Sequence, residues 1–458
     1  MGEKKLYEMK EKIKALKYLF VTVMFLVVNM LYAQPKNENY VYKDYIKTAQ
    51  ITINNNVESI PVMRLNSRDY MILTFDDLSN SEEDYFYRII HCDRDWIKSE
   101  INEIDYIDGF NDEVLRVWEF SNVTEVEYTH FWLQYPNRDV RLKISGNYIL
   151  YIYAKDGDEE IPLITKRFIV SENSTNSIVN EVRPASGVRY VQQFDISTVI
   201  PEYINNPMND ISIQVIQNGH WLTSLKDIKP FSVSNGLLNF DPFGKVVFPG
   251  LAEFRNFDTR ILAGGGRGVE KVTLQYGKNI VYLYQDVNRS RTPYLFDFDF
   301  NGKYYVDTRN ANRNTNALQA SRDEQSRAEF SFSRKLLDGE YTFLSKDIRA
   351  DYTEVQFTLK SDELQDDVYI YGDFSDWQLK PEYKMTYDFA EGVYRGVATL
   401  KQGFYDYMYV TDTKEGPNFR SVEGSWNETE NDYTVVVYYR EFASRYDRVL
   451  AVNKFNSL

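Results

Sequence analysis

Residues 351–359 read DYTEVQFTL, and Thr353, Val355, Phe357 and Leu359 fall on one side of an extended chain while Tyr352, Glu354, Gln356 and Thr358 fall on the other. Side chains alternate in this way only along a strand, so the segment is committed to a sheet with one buried and one wet face. Residues 328–335 (AEFSFSRK) repeat the pattern, with Phe330 and Phe332 opposite Glu329, Ser331 and Ser333. Residues 85–92 and 166–170 also read as strands, whereas helical periodicity is weak after residue 33 and allows one short helix at 99–107 and another at 317–328. Asn301-Gly302, between 294–300 and 303–306, predicts a hairpin with a type I′ turn. No fixed period of about 20 to 50 residues is present, which argues against a solenoid or propeller.

At roughly 150 residues per domain, 458 residues imply about three domains. Aromatic residues make up 16% of the chain, enough bulk to fill several interiors. The Ser/Asn-rich stretch 171–180 (SENSTNSIVN) is the best linker, and 345–350 (SKDIRA) marks a second break. The expected division is 1–33 as a signal peptide, 34–171 as an N-terminal β-sandwich, 172–348 as a middle β-rich domain and 349–458 as a C-terminal domain. In residues 1–33, Lys10, Lys12, Lys14 and Lys17 precede the apolar run 18–31, and Ala33 stands before Gln34. That is the order of a cleaved secretory signal. A membrane anchor is the competing reading, but 14 apolar residues fall short of the ~20 that a spanning helix needs. Met9 offers a second possible start.

The net charge is −15, and losing residues 1–33 leaves 47 basic and 65 acidic side chains, a net −18. A chain this acidic repels phosphate backbones, so nucleic-acid binding is not expected. The single cysteine, Cys92, forms no internal disulfide and excludes a multi-thiolate zinc site. His91 and Cys92 are adjacent, and neighbours on a strand point to opposite faces, so they are not expected to form a nucleophile and base. His130 and His220 lie in aromatic settings, with no metal-ligand spacing. Asp297, Asp299, Asn301 and Gly302 match the opening of a calcium loop, but Thr308 stands where a bidentate Glu is required. Residues 264–268 (GGGRG) lack phosphate-loop spacing and read as a flexible loop. No catalytic, cofactor-binding or metal-binding residue is assigned.

Residues 368–409 carry YIYGDFSDW and then GVYRGVATLKQGFYDYMYV, which is similar to the early-set immunoglobulin-like domains of starch-debranching enzymes and glycogen-binding kinases. The fold class is therefore expected to be all-β, several immunoglobulin-like β-sandwich domains in series with an early-set domain last. In that resemblance Trp377 either stacks on a sugar ring or plugs its own sandwich, and the first reading makes an exported carbohydrate-binding protein the alternative function. Over the whole chain, HCDRDWIKSEINEIDYIDGF (91–110), YTHFWLQYPN (128–137), SGNYILYIY (145–153), IQNGHW (216–221), EFRNFDTR (253–260) and TENDYTVVVYYREFASRYDR (429–448) resemble the plug protein of the type IX secretion system of Bacteroidota. This resemblance implies a non-enzymatic periplasmic protein without cofactors. Its partner would be the outer-membrane type IX translocon barrel, whose periplasmic mouth it closes from the inner side of the outer membrane. Partner-contacting residues stay unassigned. An outer-membrane β-barrel is the third reading, opposed by the polar faces of the strands and the charge. Mass measurement of the exported protein should place its N-terminus at Gln34 or within a few residues, and an intact Met1 or Met9 terminus in membrane fractions would overturn the signal reading.

Overall fold

A strand with one apolar face is stable only when that face is covered, and the described strands achieve this as three pairs of sheets, with a two-stranded ribbon of Ile107–Gly109 and Val140–Leu142 beside them. The computed structural model describes residues 35–56, 60–79, 83–137, 140–184, 187–240, 244–308 and 348–457. Residues 1–33, the expected strand at 328–335, the expected helix at 317–328 and positions 345–347 lie outside the described residues. No helix among the described residues is long and apolar enough to cross a membrane.

In the first sandwich, Tyr40–Val41, Glu159–Ser171, Gly146–Asp156, Tyr85–Cys92 and Glu113–Val114 form one sheet, with Val62–Arg64 added parallel to Glu159–Ser171. It packs on a sheet of Ile46–Ile53, Met71–Asp77, Thr129–Tyr135 and Val117–Phe120 through Leu73, Phe75, Ile89, Leu150 and Phe168. Within 99–107 only Glu103–Tyr106 is helical. The second sandwich sets Ser177–Val182, Val191–Val199, Leu237–Asn239, Ser232–Ser234 and Val247–Pro249 against Leu225–Ile228, Ile211–Gln217, Asp432–Tyr439 and Arg448–Asn456. Phe194, Ile213, Leu238, Val435 and Leu450 fill it. The third has Val269–Gln275, Lys278–Leu283, Tyr352–Lys360, Val393–Lys401 and Thr386–Asp388 on one side. On the other, Arg255–Asp258, Tyr304–Val306, Val368–Tyr371 and Gly416–Asn418 all pair with Gly403–Thr413.

The segment 349–458, expected as one domain, therefore supplies strands to two cores. Ile211–Gln217 is buried at every residue and needs a partner on each edge; Leu225–Ile228 takes one and Asp432–Tyr439, more than 200 positions later, takes the other. The third sandwich is thus inserted between strands of the second. In the stretch 171–180, strands end at Ser171 and resume at Ser177, and the connection is held by Glu172 N–H to Val449 O at 2.9 Å and Ser174 N–H to Leu450 O at 2.8 Å. Asn301 and Gly302 have φ of 55° and 83°, the two positive angles of a type I′ turn. Residues 294–300 carry no strand, however, and Tyr304–Val306 pairs with Gly403–Thr413 instead.

Each sandwich touches the other two through buried polar groups. Asp76 of the first accepts from Lys401 Nζ and the Tyr352 hydroxyl of the third, both at 2.6 Å, and lies 2.6 Å from His130 Nδ1. Asp76, Lys401 and Tyr352 are each 1% exposed or less. Burial opposes ionisation of Asp76, and Lys401 and His130 overcome it, so its carboxyl sits below its ordinary value. Lys401→Met removes the partner of a buried charge and should cost about 3–5 kcal/mol. The measurement is the urea midpoint, and a midpoint unchanged from wild type would show that Lys401 does not hold this junction.

Candidate functional site

Cys92 and His91 leave their strand on opposite faces. Cys92 packs with Ile60, Trp96, Ile149, Ile216 and Val436 between the first two sandwiches, and burial pushes its thiol up to about 12, far from a nucleophilic thiolate. His91 lies among the rings of Tyr106, Tyr148 and Tyr446, with Nδ1 2.8 Å from Ser99 Oγ, and burial lowers it to about 4. His130 joins Asp76 at the seam of the first and third sandwiches. His220 lies where the second meets the third: Nδ1 accepts from Thr223 N–H at 3.1 Å, so Nε2 carries the proton toward Tyr371 Oη at 2.5 Å, and that hydroxyl donates to Trp377 O at 2.7 Å. The three histidines thus mark three seams, each fixed by packing rather than by a substrate cleft. The T-shaped pair Trp96 and Trp221, 5.1 Å apart with Arg167 4.6 Å over Trp96, closes the seam of the first and second sandwiches.

Trp377 is 4% exposed, with its ring against Tyr371, Phe254 and His220 at 5.5, 6.0 and 5.0 Å. No face remains for a sugar to stack on. Gly302 lies directly beneath, and a Cβ there would run into the Trp377 and Phe254 rings. Of the residues matching a calcium loop, Asp297 pairs with Arg267 at 2.5 Å, while Asp299 turns inward to accept from Phe254 N–H at 2.5 Å and Asn301 N–H at 2.8 Å. Burial pushes Asp299 up to about 7. Asp406, never singled out by its sequence setting, accepts from Phe300 and Gly302 N–H, and burial together with the Asp299 charge pushes it up to about 8. Residues 264–268 close onto strand Arg255–Asp258 through Asp258 N–H to Arg267 O at 2.9 Å.

Among the described residues, no group of three or more His, Cys, Asp or Glu is placed to hold a metal ion. A cleft of about 540 Å³ lies between the first and third sandwiches, lined by Tyr40, Lys43, Asp44, Lys47, Asp376 and Glu382 among others. Its charges are largely spoken for, with Lys47 3.5 Å from Glu382 and Asp376 held by Lys166 and Lys380 at 2.5 and 2.9 Å. What the surface does offer is apolar area. Among the described residues, strand Val117–Phe120 pairs only with Thr129–Tyr135 and exposes Trp118 and Phe120, and the stretch 293–300 exposes Leu295, Phe296 and Phe298. Large exposed apolar groups of this kind characterise protein contact surfaces.

Residues 46–172 match the family described as Type 9 secretion system plug protein 1st domain, so the resemblance read from the sequence holds across the first sandwich. A crystal structure of a hypothetical protein from Parabacteroides merdae ATCC 43184 is 26% identical with a TM-score of 0.80, covering 92% of this chain and 100% of that one. It shares the fold across nearly the whole length. Dimeric latent PorU from Porphyromonas gingivalis is 10% identical with a TM-score of 0.13, covering 90% of this chain and 34% of that one, too slight a likeness to argue from. No curated protein matches the chain.

The folded His220 is lowered to about 3 from an ordinary 6.5, with burial as the cause. Unfolded chain therefore takes up a proton that the folded seam refuses, so this contribution to stability is full above about 6.5 and is lost as pH falls toward about 3. Thermal midpoints measured from about pH 7 down to about pH 4 should fall more steeply for the wild type than for His220→Asn. Parallel curves would show that His220 does not carry this sensitivity.

Proposed function

We propose that this protein is the periplasmic plug of a type 9 translocon, a folded, non-enzymatic body that occupies the periplasmic mouth of the outer-membrane barrel between cargoes. The observation that carries the reading is the match of residues 46–172 to the plug protein first domain, which ties the chain to type 9 secretion. The fold supports it. A plug must resist deformation, and three sandwiches joined pairwise by buried hydrogen bonds and an ion pair lack the loose interfaces that let domains swing. Contact with a barrel rim would use the exposed apolar residues Trp118, Phe120, Leu295, Phe296 and Phe298, and a stable complex would bury above ~1,000 Å². The carbohydrate-binding alternative loses its main support with the burial of Trp377.

Deleting the gene should make the outer membrane more permeable to antibiotics too large for porins, while secretion persists at least in part. The tagged protein should co-purify with the translocon, and Trp118→Asp or Phe296→Asp should weaken that capture without lowering the thermal midpoint. Normal permeability together with failure to co-purify would sink the plug reading.

A further inference from the structure

We propose that the outer face of strands Arg255–Asp258 and Gly403–Thr413, roofed by the turn at 299–302, is a divalent-cation site of calcium type, with oxygens from Asp299, Asp406 and Asn256. Asn256 and Asp406 stand directly opposite in the antiparallel register, so both side chains leave the same face of the sheet. The intervening Phe257, Tyr405 and Tyr407 point the other way, into the core. Over that face, Asn256 Nδ2 donates to Phe298 O at 2.9 Å, and Asp406 Oδ2 accepts from Phe300 N–H at 2.5 Å and Gly302 N–H at 3.2 Å. Asp299 is brought down beside them by Phe254 N–H.

Two oxygens of this cluster have no partner. Asp406 Oδ1 and Asn256 Oδ1 are both sealed from solvent, on residues that are 0% and 9% exposed. A third unpaired oxygen, Asn301 Oδ1, belongs to the roofing turn. Leaving a buried acceptor unsatisfied costs about 1–3 kcal/mol and more when it is charged, and here two carboxylates also repel each other, with Glu253 and Glu430 adding to the negative field at Asp299. One cation removes both penalties. Two carboxylates balance a double charge, and a donor set of carboxylate and amide oxygens without nitrogen or sulfur suits a hard ion; calcium tolerates such irregular geometry better than magnesium. The set differs from the linear loop suggested by the sequence, since Asp297 is engaged by Arg267 and the other ligands come from strands far along the chain. A bound cation would pin the stretch that presents Leu295, Phe296 and Phe298 onto the sheet.

The test is calorimetric titration of the chelator-stripped full-length exported protein with calcium chloride, with thermal midpoints read in parallel. Expected are one equivalent bound with a dissociation constant of about 10⁻³ M or tighter, and a midpoint that rises with calcium. Asp406→Asn and Asn256→Ala should each weaken binding at least about tenfold, a loss of ~1.4 kcal/mol, and Asp362→Asn at an exposed site should not. The competing occupant is a proton on Asp406 shared with Asn256, which predicts no calcium binding and an Asp406→Asn variant at least as stable as wild type. Either that pattern, or stoichiometric binding that survives Asp406→Asn, would overturn the site. Neither result bears on the plug reading, which rests on permeability and co-purification.

Discussion

The burial of Asp76 constrains the whole assembly. A carboxylate without solvent must be matched by a positive charge and hydrogen bonds, and in the first sandwich only His130 stands beside it; Lys401 and the Tyr352 hydroxyl reach it from the third. With the two sandwiches docked, loss of either partner would leave a buried, uncompensated charge. Docking is therefore specific as well as favourable, because an apolar patch tolerates sliding and a 2.6 Å ion pair does not. The other two seams also use buried polar groups, Tyr438 Oη to Asn147 and Gln214 together with the Arg94–Asp447 ion pair at one and His220 to Tyr371 at the other.

The insertion of the third sandwich into the second reinforces this. Two chain segments cross between them, and they are stitched side by side by Trp426 N–H to Leu251 O at 2.9 Å and Asn431 Nδ2 to Gly250 O at 2.7 Å. Gln192 Nε2 and Oε1 bind Thr429 and Asn431 in the same place. A single covalent tether permits rotation, whereas two paired tethers resist it. Within the third sandwich, Glu423 is fully buried between Arg255 and Arg289, and Asp286 takes the hydroxyls of Tyr407 and Tyr409, so rigidity there also comes from a satisfied polar network.

Rigidity of this kind is what the proposed plug role requires. The groups that sequence inspection would nominate for chemistry are spent on architecture: Cys92 as a small hydrophobe, three histidines as seam residues, and Trp377 as packing between sandwiches.

Local alternation determined much of this protein. Tyr85–Cys92 forms as read, and Val355, Phe357 and Leu359 enter the third core as their period of two requires, because strand faces are set by neighbouring residues alone. Tyr352 departs from its own pattern: it falls on the polar face yet is buried, since another sandwich covers that face and Asp76 accepts its hydroxyl. The third-sandwich partners of Asp76, the turn that binds Asp406 and the Asp432–Tyr439 partner of the Ile211–Gln217 edge lie from about 100 to more than 300 positions away, and no period or motif in one sequence records such distances. The sequence by itself determined strands such as Tyr85–Cys92 and Tyr352–Lys360, where alternation is strict, and which family the first domain resembles. Only the tertiary structure decided which sheet each strand completes and which buried charges meet, because those depend on closing long loops around groups that cannot remain unpaired.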